Sequence, residues 1–230
     1  MNEQQQSWLQ RQERLVACLA TPGLELEAQD LAPRQHAQVH ASAVSQSGLF
    51  SFEDEVLDGL GEEQLRSRPG DEPNSIAWLL WHSARIEDVT TNLLIAGRPQ
   101  VVEREGWLSR LKISAQDVGT GMGDTQVSLV TSQIDLDALR AYRQAVGGST
   151  RQILLTLAPE HLHRSVDPAR IELLLASGIL GQGAEQLAEI WGSWKVGDLV
   201  RQPAIRHSFV HLQEAKEIKQ KMTSSGDSRA

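Results

Sequence analysis

The sequence predicts an all-α protein, a four-helix bundle with helical insertions in two long connections. Three observations predict it. Four long stretches carry apolar residues at three- and four-residue spacing. No run alternates apolar and polar residues as a half-buried strand would. Segments 98–134 and 159–194, punctuated by Gly and Pro, are too long to be simple turns. With 230 residues, 25.4 kDa and 40% hydrophobic side chains, the chain can bury a sizeable core in one domain.

Residues 1–35 read as an N-terminal extension with a short amphipathic helix, carried by Trp8, Leu9, Leu15 and Leu19 and ended by Thr21-Pro22-Gly23. The bundle domain is expected over 36–222, with 223–230 as a disordered tail. Its first long helix is placed at 36–60, with a weak point at 45–48, where Ser51 and Asp54 can restart it through a capping box. Turns around Pro69 and Pro73 follow. Asn74 or Ser75 then caps a second helix, 75–96, stopped by Gly97 and Pro99. Its inward seam reads Ile76, Leu79, His82 or Ser83, Ile86, Thr90, Leu93.

The first connection holds two short helices, 107–111 and 125–133. Asp135 opens the third long helix, 135–157, built on Leu136, Leu139, Tyr142, Val146, Ile153 and Leu157. Gly147 and Gly148 in its middle each cost roughly 1 kcal/mol against alanine, which a close approach or a kink would explain. The second connection holds short helices near 171–175 and 184–191. The fourth long helix, 194–222, contains Pro203, which should bend it just before His207.

The chemistry starts from that last helix. His207 and His211 sit four apart on a seam that continues through Val200, Ala204, Ala215, Ile218 and Met222. Imidazoles facing a core need polar partners, because an unsatisfied ring nitrogen is costly. Two histidines at i and i+4, with His82 from a neighbouring helix, make a tridentate set suited to zinc, nickel or iron. Three hydrogen-bonded core histidines are the plainer alternative.

Other candidates are weaker. His36 and His40 form a second pair four apart, but Gln35 and Gln38 beside them describe a polar, exposed face. His161 and His163, two apart, cannot share a helix face and read as loop residues. The run from Gly119 to Gly123 lacks both the preceding strand and the following Lys-Ser/Thr of a phosphate loop. Trp78, Trp81, Trp191 and Trp194 read as core or pocket lining. Glu87 and Asp88, one turn beyond His82, are candidates for acid/base work or for orienting an imidazole. Helical spacing turns Glu87 away from His82, which makes a surface ion pair its expected role.

The formal charge is −8 and the pI about 5.4, with no basic stripe, which argues against nucleic acid and anionic membranes as partners. Cys18 is the single cysteine, so no internal disulfide forms, in keeping with a reducing compartment. The N-terminus lacks the cationic and apolar regions of a signal peptide, and the longest apolar runs, 76–81 and 173–176, are too short for a bilayer. A cytoplasmic location is expected.

The stretch from Asn74 to His82 (NSIAWLLWH), followed by Ala84-Arg-Ile-Glu-Asp88, closely resembles the second-helix signature of the DinB-like superfamily. The stretch from Arg206 to Ala215 (RHSFVHLQEA) resembles its fourth-helix signature. The similarity runs from about residue 40 to 222 and leaves out the first 35 residues. It implies an up-down-down-up bundle with a divalent metal held by His82, His207 and His211. Zinc or nickel is the expected ion, with iron or manganese as further candidates. Relatives include S-transferases that use bacillithiol, mycothiol or glutathione, and a mycothiol-dependent isomerase. The resemblance thus implies a metal-dependent enzyme that activates a low-molecular-weight thiol, or water, toward a small electrophile. The other class is a non-catalytic metal-binding or stress-associated bundle. Homodimerisation is a further expectation.

Overall fold

Three of the long helices begin where a side chain satisfies the first free amides. Helix α1 (Glu3–Ala20) opens with Asn2 accepting from the Gln5 amide while the Gln5 side chain answers the Asn2 amide. Helix α2 (Glu25–Gln38) follows, then three short helices, α3 (Ser42–Ser45), α4 (Phe52–Leu57) and α5 (Glu62–Arg66). Ser75 caps α6 (Ile76–Asp88) by accepting from the Trp78 amide, and α6 runs on as a π-helical stretch, Val89–Ile95. The first connection carries α7 (Trp107–Leu111) and α8 (Asp124–Gln133). Asp135 caps α9 (Leu136–Thr156) through the Ala138 amide. The second connection carries α10 (Pro168–Ala176) and α11 (Gln186–Gly192). Helix α12 (Val196–Leu199), a second π-helical stretch (Val200–Arg206) and α13 (His207–Asp227) complete the chain. This is a computed structural model that describes residues 2–227, the last three by backbone alone. Among them there is no strand, only an isolated bridge between Ser165 and Lys195.

The all-α architecture is the one expected, the second and third long helices start at the Ser75 and Asp135 caps, and helical structure from Val196 onward covers the range expected for the fourth. Pro203 falls inside the second π-helical stretch, and the regular α-helix resumes at His207, so the missing proline amide is absorbed where a bend was expected. The first helix is different. No helix spans 36–60: α2 starts at Glu25 and ends at Gln38, and the residue-36 boundary falls inside it. Gln46 and Gly48 then adopt left-handed backbone (φ 48° and 70°), which a continuous helix excludes. Thr223 to Asp227, expected as tail, continue α13, while 228–230 lie outside the described residues.

Helix α6 is central. All of its residues are buried, between α9 on one side and α13 on the other. The N-terminal stretch shares the same core. Helix α1 packs along α2, and its Trp8 stacks on Phe209 of α13 (centroids 3.8 Å apart, planes 10° from parallel), with Phe52 edge-on to both. Cys18, in the same helix, is fully buried.

Buried polar ties fix the helices in register. The Asp88 carboxylate accepts from the amides of Val101 (2.8 Å) and Val102 (2.9 Å) and from the Tyr142 hydroxyl (2.7 Å). It thereby pins the first connection between α6 and α9. Arg143 of α9 reaches the other way, donating to Glu53 (2.6 Å) and to the Val39 carbonyl (2.9 Å). Among the described residues no helix is long and apolar enough to cross a membrane.

Candidate metal centre

Three imidazoles from two helices meet at the α6–α13 crossing. His82 comes from the middle of α6, and His207 and His211 come from the first two turns of α13. The i, i+4 spacing stacks the latter two on one face. Ring centroids lie 5.0 Å (His82–His207), 5.1 Å (His82–His211) and 4.5 Å (His207–His211) apart. One nitrogen from each lies within 4.8 Å of the others, a spacing at which a single ion can reach all three.

The tautomers decide which nitrogens face inward. His82 donates its Nδ1–H to the Val118 carbonyl at 2.6 Å, and its ring is clamped by Trp78, stacked at 4.7 Å. His211 donates its Nδ1–H to the Glu214 carboxylate at 2.9 Å. Both therefore turn an Nε2 lone pair toward the cluster, the arrangement of metal-ligating histidines. The Nε2 atoms of His207 and His211 are 3.2 Å apart. Two lone pairs this close repel unless a proton or a cation lies between them. Burial pushes the His82 pKa down to about 4, helped by His211. Burial and the neighbouring imidazoles hold His207 well below the normal histidine range. His82 and His207 thus resist protons and are set up for a cation that binds neutral imidazole.

A cleft of about 500 Å³ opens onto His82 and His207. Ile86, Leu187, Trp191 and Trp194 give it apolar walls, with Arg206 at the edge. Among the described residues no fourth metal-capable side chain joins the three histidines.

The model of the DinB superfamily matches residues 54–215, more than half of the chain. The chain belongs to the DinB superfamily. The superfamily match contains all three histidines and Glu214, and leaves out α1 and α2. Curated proteins give no match.

The remaining candidates are placed differently from expectation. Glu87 and Asp88 touch no imidazole of the trio. Asp88 serves the α6–α9 register described above. Glu87 is fully buried rather than part of a surface ion pair, and His36 and His40 are fully buried rather than exposed. One Glu87 carboxylate oxygen lies 2.9 Å from His36 Nε2 and the other 2.8 Å from His40 Nε2. Sequence reading missed Glu214, although its position three residues after His211 puts it on the same helical face.

Proposed function

We propose that this DinB-superfamily chain is a metal-dependent enzyme that holds one divalent ion, zinc or nickel, through His82, His207 and His211. It would use a low-molecular-weight thiol or water against a small electrophile. The observation that carries this reading is the convergence of lone pairs whose tautomers are fixed by Val118 and Glu214, beside a cleft rather than in a sealed core. Held by three neutral imidazoles, a divalent ion keeps its charge uncompensated and lowers the pKa of a thiol or water that reaches it.

The residues of the chain divide the remaining work. Val118 and Glu214 hold protons on the two Nδ1 atoms and so keep the Nε2 atoms free. Trp78 fixes the plane of the His82 ring. Trp191, Trp194 and Leu187 offer an apolar wall that excludes water from the reacting groups and takes the body of an apolar substrate. Arg206 offers a cation to an acidic group on the thiol or the electrophile. Cys18, buried among the residues of α1, supplies no thiol to this cleft, so any sulfur must come from outside the chain.

Metal analysis of purified protein tests the site: about one divalent ion per chain, lost in His211→Ala. Cobalt substitution then tests the chemistry. Adding glutathione, bacillithiol or mycothiol should produce a sulfur-to-cobalt charge-transfer band. Cobalt bound without any such band would move the reading to water activation, and equal metal in wild type and His211→Ala would refute the ligand set.

A further inference from the structure

The second histidine pair forms a cluster of its own. His36, in the last turn of α2, and His40, just past its end, face Glu87 across the interface with α6. All three residues are fully buried, and the two rings lie 4.4 Å apart. Each Nε2 meets a different oxygen of the one carboxylate, at 2.9 and 2.8 Å. Two ligands at right angles around an ion with bonds of about 2.1 Å lie roughly 3.0 Å apart, so these separations also suit ligands of a common cation. The His40 ring is seated against Gly147 of α9, where a Cβ would come within 2.6 Å of Nδ1. The cluster is therefore a built site, with its ligand atoms fixed by packing.

The cluster places a carboxylate in the core. Among the described residues no guanidinium pairs with Glu87, and Arg143, an electrostatic partner of His36, is committed to Glu53 at 2.6 Å. An ionised carboxylate in a core needs a cation beside it.

We infer that His36, His40 and Glu87 bind a second divalent ion, most suitably zinc, through two imidazole nitrogens and both carboxylate oxygens. Two imidazoles and one carboxylate, whose two oxygens span too narrow an angle for a regular tetrahedron, would hold the ion in a distorted set closed to solvent by the full burial of all three residues, which makes this a structural site that ties α2 to α6. It lies at an interface separate from the His82 trio, draws no ligand from it, and includes two residues outside the stretch that matches the superfamily. The competing source of positive charge is a proton on one of the two histidines.

The test is zinc content after expression in zinc-supplemented medium and exhaustive dialysis. Wild type should hold two zinc ions per chain. The His207→Ala/His211→Ala double variant should hold one, and Glu87→Gln should also hold one. X-ray absorption at the zinc edge of the double variant should show two imidazole nitrogens and two oxygens per ion. This measurement needs no change in the buried cluster, so it stands even if Glu87→Gln fails to fold. Zinc-free double variant would overturn the inference, with a protonated histidine taking the place of the ion. One ion in wild type that survives in the double variant would instead overturn the metal reading of the trio and leave this one standing.

Discussion

Gly147 and Gly148 are adjacent in the same helix, yet the structure assigns opposite signs to the same substitution. Both have ordinary helical backbone, so alanine at either gains about 1 kcal/mol of helix propensity. At Gly148, which is exposed, a new Cβ meets nothing within 4 Å, and the gain stands. At Gly147 the Cβ would come to 2.6 Å from His40 Nδ1 and 3.0 Å from Cε1. That ring cannot swing away without leaving a Glu87 oxygen unpaired in the core. Overpacking of this kind costs about 1–3 kcal/mol, and an orphaned buried acceptor a similar amount. Gly148→Ala should therefore stabilise by about 1 kcal/mol, and Gly147→Ala should destabilise by about 1–2 kcal/mol. At about 2–4 °C per kcal/mol for a chain of this length, the two melting temperatures should differ by roughly 5–10 °C. Urea unfolding at matched metal content measures the free energies directly. Equal stabilisation by both substitutions would show that His40 is not held where the structure puts it, and would weaken the argument for a built cluster.

The other predictions are shorter. After chelation, stability should fall as the pH drops from 7 to 5. The folded state refuses a proton at His82 until about pH 4, while the unfolded chain takes one near 6.5. The loss from this group is about 2 kcal/mol at pH 5, read by urea unfolding, and a flat profile would contradict the buried neutral imidazole. Glu214→Gln should weaken metal binding about 10- to 100-fold without unfolding the protein, measured by competition with a chromophoric chelator. Trp8→Ala should cost about 3–5 kcal/mol. A loss below about 1 kcal/mol, the range of surface changes, would mean that α1 is dispensable to the core.

The sequence made the trio legible because its signals are local. The i, i+4 pair needs only a helix, and the caps at Ser75 and Asp135 and the bend at Pro203 fix where helices begin and turn. The second cluster was hidden for a physical reason. Gln35 and Gln38 mark a polar face, and a polar face reads as a wet one unless something covers it. Here α1 lies along that helix, and Gln38 accepts from Arg11 of α1 at 2.8 Å. Glu87 misled in the same way. Helical spacing correctly turned it away from His82, but α6 has no solvent side, so turning away from one buried site delivered it to another. The length of α2 escaped because apolar periodicity is weak where Pro33 and the glutamines sit on covered positions.

The order in which the ligands leave the ribosome separates the two clusters in time. His36, His40 and Glu87 are all present once α6 has been synthesised. His82 must wait through both long connections until the final helix delivers His207 and His211. Closing that long loop costs chain entropy that tertiary contacts repay, among them the stacking of Trp8 of α1 on Phe209 of α13. A nascent chain stalled before α13 would hold His36, His40 and Glu87 but lack two of the three members of the His82 trio.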